Sequence, residues 1–341
     1  MAEPKLQLPA RIGKYELVEF LGGGMSHVYR AQDTVLGRTV ALKILTAAGV
    51  SDAESKARFL QEARMASNIS HENIISVYDF GEEHGQPFIV MEFLRGESLR
   101  DAIKANRTGD IPAKLNIALQ IGRALEYIHT KKIIHRDIKP ENVHIDAAGR
   151  VKLMDFGIAK AEGLSLTRAG FTLGTPYYMA PEQVLGHQIT GQVDVYGFGV
   201  LLFELLSGVK PISGDTVERI FNQILYEPLN IEPLRAAGVP PPLFDLITRC
   251  TAKQPLQRVQ GFAEVCTELQ SAMQHPGKPS AAAPKRAMVR PPLAAPAIRP
   301  RSTNKWRAVF RSQTFLMIAA GAGMLVALSL LYLLLHTLRI V

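Results

Sequence analysis

The chain has 341 residues, 47% hydrophobic and 21% charged, so it can bury a core and is no disordered polyelectrolyte. Its formal charge of +8 belongs to one end: no acidic residue follows Glu268, whereas ten basic ones do, leaving 29 basic against 31 acidic groups in residues 1–268. That placement removes the case for a nucleic-acid-binding domain, and two cysteines, Cys250 and Cys266, can build neither a disulfide framework nor a four-ligand zinc site.

In chain order, the first residues, MAEPKLQLPARIGKYEL, lack the long apolar run of a signal peptide. Short apolar runs punctuated by Gly, Asp and Asn follow: YELVEFL (15–21), HVYRAQ (27–32), TVALKIL (39–45), IISVYDF (74–80) and PFIVMEF (87–93). They predict strands of an antiparallel sheet. Ser51 with Glu54 reads as a capping box that opens a helix running through Met65. From Ser98 to Gln274 the pattern turns mainly helical, with apolar residues at 3.6-residue spacing in 115–129 and on nearly every face of 195–208. The second of these helices is expected in the middle of a domain. Both cysteines fall in apolar helical patterns and are expected as buried free thiols. The fold class is therefore α+β, a small β-rich lobe followed by a larger helical one.

Composition changes after that. Residues 276–300 hold seven prolines and no acidic group, which predicts a Pro/Ala-rich basic linker, extended and disordered, over 273–311. Residues 315–335 then run for twenty-one positions without a formal charge, about 31 Å as a helix and enough to cross a bilayer, with a buried core helix as the alternative. Lys305, Arg307 and Arg311 precede this span and only Arg339 follows it, so residues 1–311 are expected in the cytoplasm and 336–341 form a short tail on the far side, with no outside sensor domain. Arg299 to Arg311 would lie near anionic membrane lipids. Ala319, Gly323 and Ala327 form a small-residue stripe that would let two copies pair as a homodimer.

The strongest chemical signal is IIHRDIKPENVHID (133–146) followed by VKLMDFGIAK (151–160). Asp137, Asn142 and Asp155 each flank an apolar strand-like run, as oxygen ligands would at the ends of a small hairpin. With Lys139 close by, such ligands suit magnesium and phosphate. Any one of the three could be a simple turn former, but that reading does not account for the set.

Here the sequence resembles the eukaryotic-like serine/threonine protein kinases, in particular their membrane-anchored bacterial members, over about residues 15–270. The resemblance implies a bilobal protein kinase fold over 15–272, with an N-lobe at 15–94 and a C-lobe at 95–272. It also implies ATP and Mg2+ as cofactors and cytoplasmic protein substrates. Lys43 in VALK would hold the ATP phosphates and Glu62 would pair with it. Asp137 would accept or orient the proton of the substrate hydroxyl, Lys139 would contact the γ-phosphate, and Asn142 and Asp155 would hold magnesium. Val28 and Ala41 would line the nucleotide site, Met91 would stand behind the adenine, and the Glu92–Leu94 backbone would form the hinge. By the same resemblance Asp194 ties down the catalytic loop, Glu182 and Arg258 pair in the large lobe, and His135 and Phe156 pack between lobes. His71 would make an ordinary hydrogen bond rather than a catalytic contact. Ser165, Thr167, Thr172 and Thr175 lie between Gly157 and Ala180; Arg136 beside Asp137 suggests a phosphate-switched loop with Thr167 or Thr172 autophosphorylated, and Thr175 shaping the substrate site.

Two departures stand out. The Gly-rich loop, LGGGMSHV (21–28), is one residue short between Gly22 and Val28, yet Gly22, Gly23 and Gly24 would still let backbone N–H groups approach phosphate. His144 stands where the family usually has a leucine packed on adenine, and its imidazole face could stack there. A nucleotide-binding pseudokinase acting as a membrane scaffold is the alternative, opposed by the intact Lys43, Asp137, Asn142 and Asp155; a small-molecule kinase is opposed by Lys139 and GTPYYMAPE.

Overall fold

The computed structural model describes residues 8–24, 26–155 and 176–274. The chain divides into Met1–Ala283 and Pro284–Val341, and every described residue belongs to the first unit. The expected linker, membrane span and far-side tail lie outside the described residues, as do Phe156, Ser165, Thr167, Thr172 and Thr175. Among the described residues no helix is long and apolar enough to cross a membrane.

The small lobe is an antiparallel sheet in the order β1-β2-β3-β4-β6-β5. Its strands are β1 (Ala10–Ile12), β2 (Tyr15–Gly23), β3 (Ser26–Asp33), β4 (Arg38–Leu45), β5 (Val77–Glu83) and β6 (Gln86–Glu92). Period-two alternation decides what each face carries. Val40, Leu42 and Ile44 of β4 are buried with Leu17 and Tyr29 in one apolar layer, which leaves Ala41 and Lys43 on the opposite face. The β3–β4 turn is held by the buried carboxylate of Asp33, which accepts from Val35 N (3.1 Å) and Leu36 N (3.0 Å). The run expected over 74–80 starts pairing with β6 only at Val77; Ile74 instead bridges to Leu153 of the large lobe.

The helix expected to open at Ser51 is two helices, α1 (Ala47–Ser51) and α2 (Ala53–Ser67). Asp52, extended at φ −93° and ψ 104°, breaks the helix and caps α2 by accepting from Glu54 N, while the Ser51 hydroxyl donates to Ala48 O. An aspartate at that position outcompetes the serine before it because its carboxylate also meets the positive end of the helix. Phe59 and Ala63 of α2 pack on Leu45 and Ile89, which puts Glu62 beside the sheet.

The large lobe begins with β7 (Glu97–Ser98) and α3 (Leu99–Lys104), capped by Ser98, then α4 (Ile111–Thr130), capped by Asp110 with a proline in its first turn. The hairpin strands β8 (Val143–Ile145) and β9 (Val151–Leu153) pair with β7 in the order β7-β8-β9. The remaining helices are α5 (Pro181–Val184), α6 (Gln192–Ser207), α7 (Val217–Tyr226), α8 (Glu232–Ala236), α9 (Pro241–Cys250) and α10 (Phe262–Gln274). As its uniform apolarity predicts, α6 is buried from Val193 to Leu206, with α9 and α10 completing the core. Both cysteines are buried free thiols, and burial pushes each thiol up to about 12. A Cβ on Gly122 of α4 would come within 3.0 Å of Cys266 Sγ, so the approach of α4 to α10 depends on that glycine.

Candidate active site

The loop between α4 and β8 is shaped by one buried carboxylate. Asp194, in the first turn of α6, accepts from Arg136 N at 2.7 Å through Oδ1 and from His135 N at 2.8 Å through Oδ2. His129 Nε2 also lies 2.8 Å from Oδ2. These bonds hold Arg136 at φ 68°, a left-handed conformation that a non-glycine residue rarely adopts. The His135 ring is fully buried with Nε2 3.0 Å from Met154 O, which anchors the loop to the end of β9. Asp137 then emerges with defined partners: Lys139 Nζ reaches its Oδ2 at 2.8 Å, and Asn142 Nδ2 donates to the same oxygen at 3.0 Å and to the Asp137 carbonyl at 2.8 Å.

The hairpin supplies the next pair. Val143 faces Leu153 across β8 and β9, and Met154 N donates to Asn142 O at 2.8 Å, so Asn142 and Asp155 stand at the same end of the hairpin. Asp155 also takes a left-handed backbone, at φ 49°. Its Oδ1 lies 2.8 Å from Lys43 Nζ, which is simultaneously 2.9 Å from Glu62 Oε1. One ammonium thus bridges β4, α2 and the second residue after β9. Burial works against the Lys43 charge, but Asp155 and Glu62 outweigh it and raise its pKa above the ordinary lysine value. Lys43 in turn holds the Asp155 carboxyl below the usual range, whereas burial pushes Glu62 upward against the pull of Lys43.

Lys43, Glu62 and Asp155 open onto a cavity of about 750 Å³ between the sheet and the hairpin, whose lining does not include Asp137, Lys139 or Asn142. Its roof is Leu21, Gly22, Gly23 and Val28; Ala41, Lys43 and Glu62 follow, then Met91 through Leu94, with His144, Met154 and Asp155 on the opposite side. The nucleotide set expected from the sequence therefore meets at one cavity, except that Gly24 is not among its lining residues. The shortened loop still closes as a hairpin, with Gly22 opposite Val28 and Gly23 opposite His27. Gly23 sits at φ 138°, and a Cβ there would stand 2.0 Å from Ser26 O, so the tight return requires glycine. His144 is half-buried in β8, and burial depresses its basicity.

Several contributors were not singled out by sequence reasoning. Met154, directly before Asp155, and the segment Arg95–Ser98 also line the cavity; an outward–inward alternation continued past β9 was the available signal for Met154. Glu92 does more than offer backbone: its Oε1 accepts from Ser76 N at 2.7 Å and pairs with Lys152 Nζ at 2.8 Å. Arg100 is buried with Glu204 and Tyr178, bonding both, and its Nε meets Glu141 Oε1 at 2.8 Å. That cluster links α3, α6, the segment before α5 and the residue beside Asn142, and nothing local in the sequence announces it. The expected Glu182–Arg258 pair is buried and two-pronged, at 2.6 and 2.7 Å. His71 accepts from Asn73 N at 3.0 Å through Nδ1, the ordinary structural bond expected of it.

A protein kinase domain model matches residues 15–276. The chain belongs to that family. Its kinase domain is 38% identical over 262 residues to the serine/threonine-protein kinase PrkC of Bacillus subtilis, covering 76% of this chain and 40% of PrkC. It is 37% identical over 304 residues to the serine/threonine-protein kinase PknA of Mycobacterium tuberculosis, covering 86% of this chain and 68% of PknA. Among solved structures it is similar to that of Rad53 1–466 in complex with AMP-PNP, with a TM-score of 0.63, 27% identity, and coverage of 75% of this chain and 64% of that one.

Protein kinases use ATP and a divalent metal, typically magnesium. The donors of this kinase fit that ion. Among the described residues no three His, Cys, Asp or Glu side chains converge into a protein-only cage. Instead one carboxylate, Asp155, and one carboxamide, Asn142, stand at one end of the hairpin. Magnesium prefers such a sparse set of hard oxygen donors, because phosphate oxygens and waters complete its shell.

Proposed function

We propose that this kinase transfers the γ-phosphoryl group of ATP to serine or threonine hydroxyls of cytoplasmic proteins. The observation that carries the proposal is the convergence of Lys43, Glu62 and Asp155 at one glycine-roofed cavity, with Asn142, which bonds Asp137, at the same end of the hairpin as Asp155. Phosphoryl transfer needs positioning and charge compensation more than covalent chemistry from the protein, and those are what these groups supply.

In the proposed reaction Lys43 holds the α- and β-phosphates, and Glu62 fixes the direction of its ammonium. Asp155 and Asn142 hold magnesium, which neutralises charge on the transferring group. Asp137 orients the substrate hydroxyl and receives its proton as the oxygen bonds to γ-phosphorus and the bond to the β–γ bridging oxygen breaks, leaving ADP. Lys139, paired with Asp137 at 2.8 Å, contacts the γ-phosphate. Autophosphorylation at Thr167 or Thr172 belongs to the same proposal; Arg136, whose Nε is buried without a partner among the described residues, supports it. So does a tether through residues 315–335, with the basic stretch before it near anionic lipids and two copies pairing through the span.

Asp137→Asn in the full-length chain tests the reaction by labelled phosphate transfer from ATP to Ser- and Thr-containing peptides. Loss of the proton acceptor lowers kcat by about 10²–10⁴-fold. Transfer at the wild-type rate would remove Asp137 from the mechanism and the proposal with it.

A further inference from the structure

The roof of the cavity is poor in side chains. On the β2 side it ends in Gly22 and Gly23, which bring nothing to pair across to β3 and lose more backbone freedom on ordering than other residues do. Gly22, Val28 and Lys43 stand in one row across β2, β3 and β4, and all three line the cavity. The glycine roof is therefore in register with the ammonium of Lys43. A roof built this way needs a brace from elsewhere to keep its shape.

The next row, Gly23, His27 and Ile44, belongs to the opposite face of the sheet, because directly opposed residues share a face and neighbours along a strand alternate. Ile44 is buried there with Tyr29 and Leu42, and Phe20 packs on the same layer. Straight across from His27 stands a glycine, so its imidazole finds no side chain there. The register shift between Phe20 and Gly22 leaves Leu21 as the extra residue and makes Phe20 the next outer-face neighbour on β2. The His27 ring leans to it: the two centroids lie 5.4 Å apart with the planes at 89°, edge to face. Phe20 in turn meets Tyr29, its direct partner on β3, at 5.3 Å and 65°. Three rings thus tie β2 to β3 directly behind the glycines. His27 and Phe20 are only half-buried, whereas Tyr29 is fully buried, so the His27 end of this cluster is the part that stands outside the core.

We propose, on the nucleotide reading of the cavity given above, that His27 is a positioning residue for the phosphates of the bound nucleotide. Its ring takes the place of the side chain that Gly23 cannot carry and holds the shortened hairpin over Lys43, so that the backbone N–H groups of the roof are ordered before the nucleotide arrives. A site ordered in advance binds more tightly, because no binding energy is spent on closing it. The effect is confined to the phosphate end. Met91 and Glu92, at the base end, belong to β6, which lies two strands away from β3.

The test measures the dissociation constants of the full-length kinase for ATP with magnesium and for adenosine, in the wild type, His27→Ala and His27→Phe. Loss of one edge-to-face contact corresponds to about two- to tenfold in affinity, so His27→Ala binds ATP that much more weakly. Adenosine has no phosphate and binds His27→Ala as it binds the wild type. His27→Phe keeps the ring contact and returns ATP affinity to the wild-type value. Unchanged ATP affinity in His27→Ala overturns the inference. An equal loss for ATP and adenosine overturns it as well, since the whole lobe is then disturbed, and so does a His27→Phe variant as weak as His27→Ala. Failure of the wild type to bind ATP is a separate result, which defeats the nucleotide reading itself.

Discussion

Asp194→Asn probes how the kinase holds its catalytic loop. The wild-type carboxylate, 1% exposed, accepts two backbone N–H groups, one on each oxygen, at 2.7 and 2.8 Å. An asparagine in the same rotamer offers one oxygen and one NH2, so in either orientation a donor faces a donor. The variant loses one charge-assisted bond, about 1.5–3 kcal/mol, and leaves a buried N–H unsatisfied, about 1–3 kcal/mol. Partial relaxation of Arg136 from its left-handed φ of 68° returns about 1 kcal/mol. The net expectation is a loss of about 3 kcal/mol, or about 6–12 °C in Tm for a domain of this size. Relaxation at Arg136 also swings Asp137, and a misplacement of about 1 Å costs about 10²-fold in kcat. The KM for ATP changes little, because Lys43 and Glu62 belong to the other lobe. Thermal unfolding followed by circular dichroism, paired with steady-state ADP release, reads both effects. A variant with wild-type Tm and kcat would refute the claim that this carboxylate sets the loop.

Two further predictions concern stability. Arg258 spends all five N–H donors, on both Glu182 oxygens and on the carbonyls of Ala252, Gln192 and Lys253. Arg258→Met strands a buried carboxylate and lowers stability by about 3–5 kcal/mol in urea unfolding, and replacing Glu182 as well recovers part of the loss. Asp33 is held below its ordinary 3.8, first by the Leu36 N–H and against the cost of burial. A folded-state value below the unfolded one contributes stability that is complete above about pH 4 and lost as pH falls through the folded value. Asp33→Asn is therefore less stable than wild type by a constant margin near neutrality, and the margin narrows below about pH 4; a margin flat down to pH 2 would show that the carboxylate charge contributes nothing.

Much of the site is written locally. Strand alternation in TVALKIL puts Lys43 on the face opposite Val40 and Leu42, and the folded sheet agrees. The run from Asn142 through β8 and β9 to Asp155 forms a hairpin whose two ends must meet, so the pairing of Asn142 with its neighbour across the strands follows from turn spacing alone. The helix break at Asp52 was missed because Ser51 and Asp52 are adjacent capping types, and the choice between them depends on how α2 docks on Leu45 and Ile89.

Periodicity, capping and turn chemistry act over a few residues, so the amino-acid order alone indicates most strands and helices, though not all their bounds, which polar groups flank them, and that an uncharged stretch follows the basic tail. Groups separated by long stretches of chain meet only when whole elements pack. Lys43 and Asp155 are 112 positions apart, and Arg100 and Glu204 are 104 apart. Their meeting and the grip of Asp194 on the catalytic loop come from the docking of the two sheets and α6, because desolvation and long-range ion pairing depend on where backbones run in space.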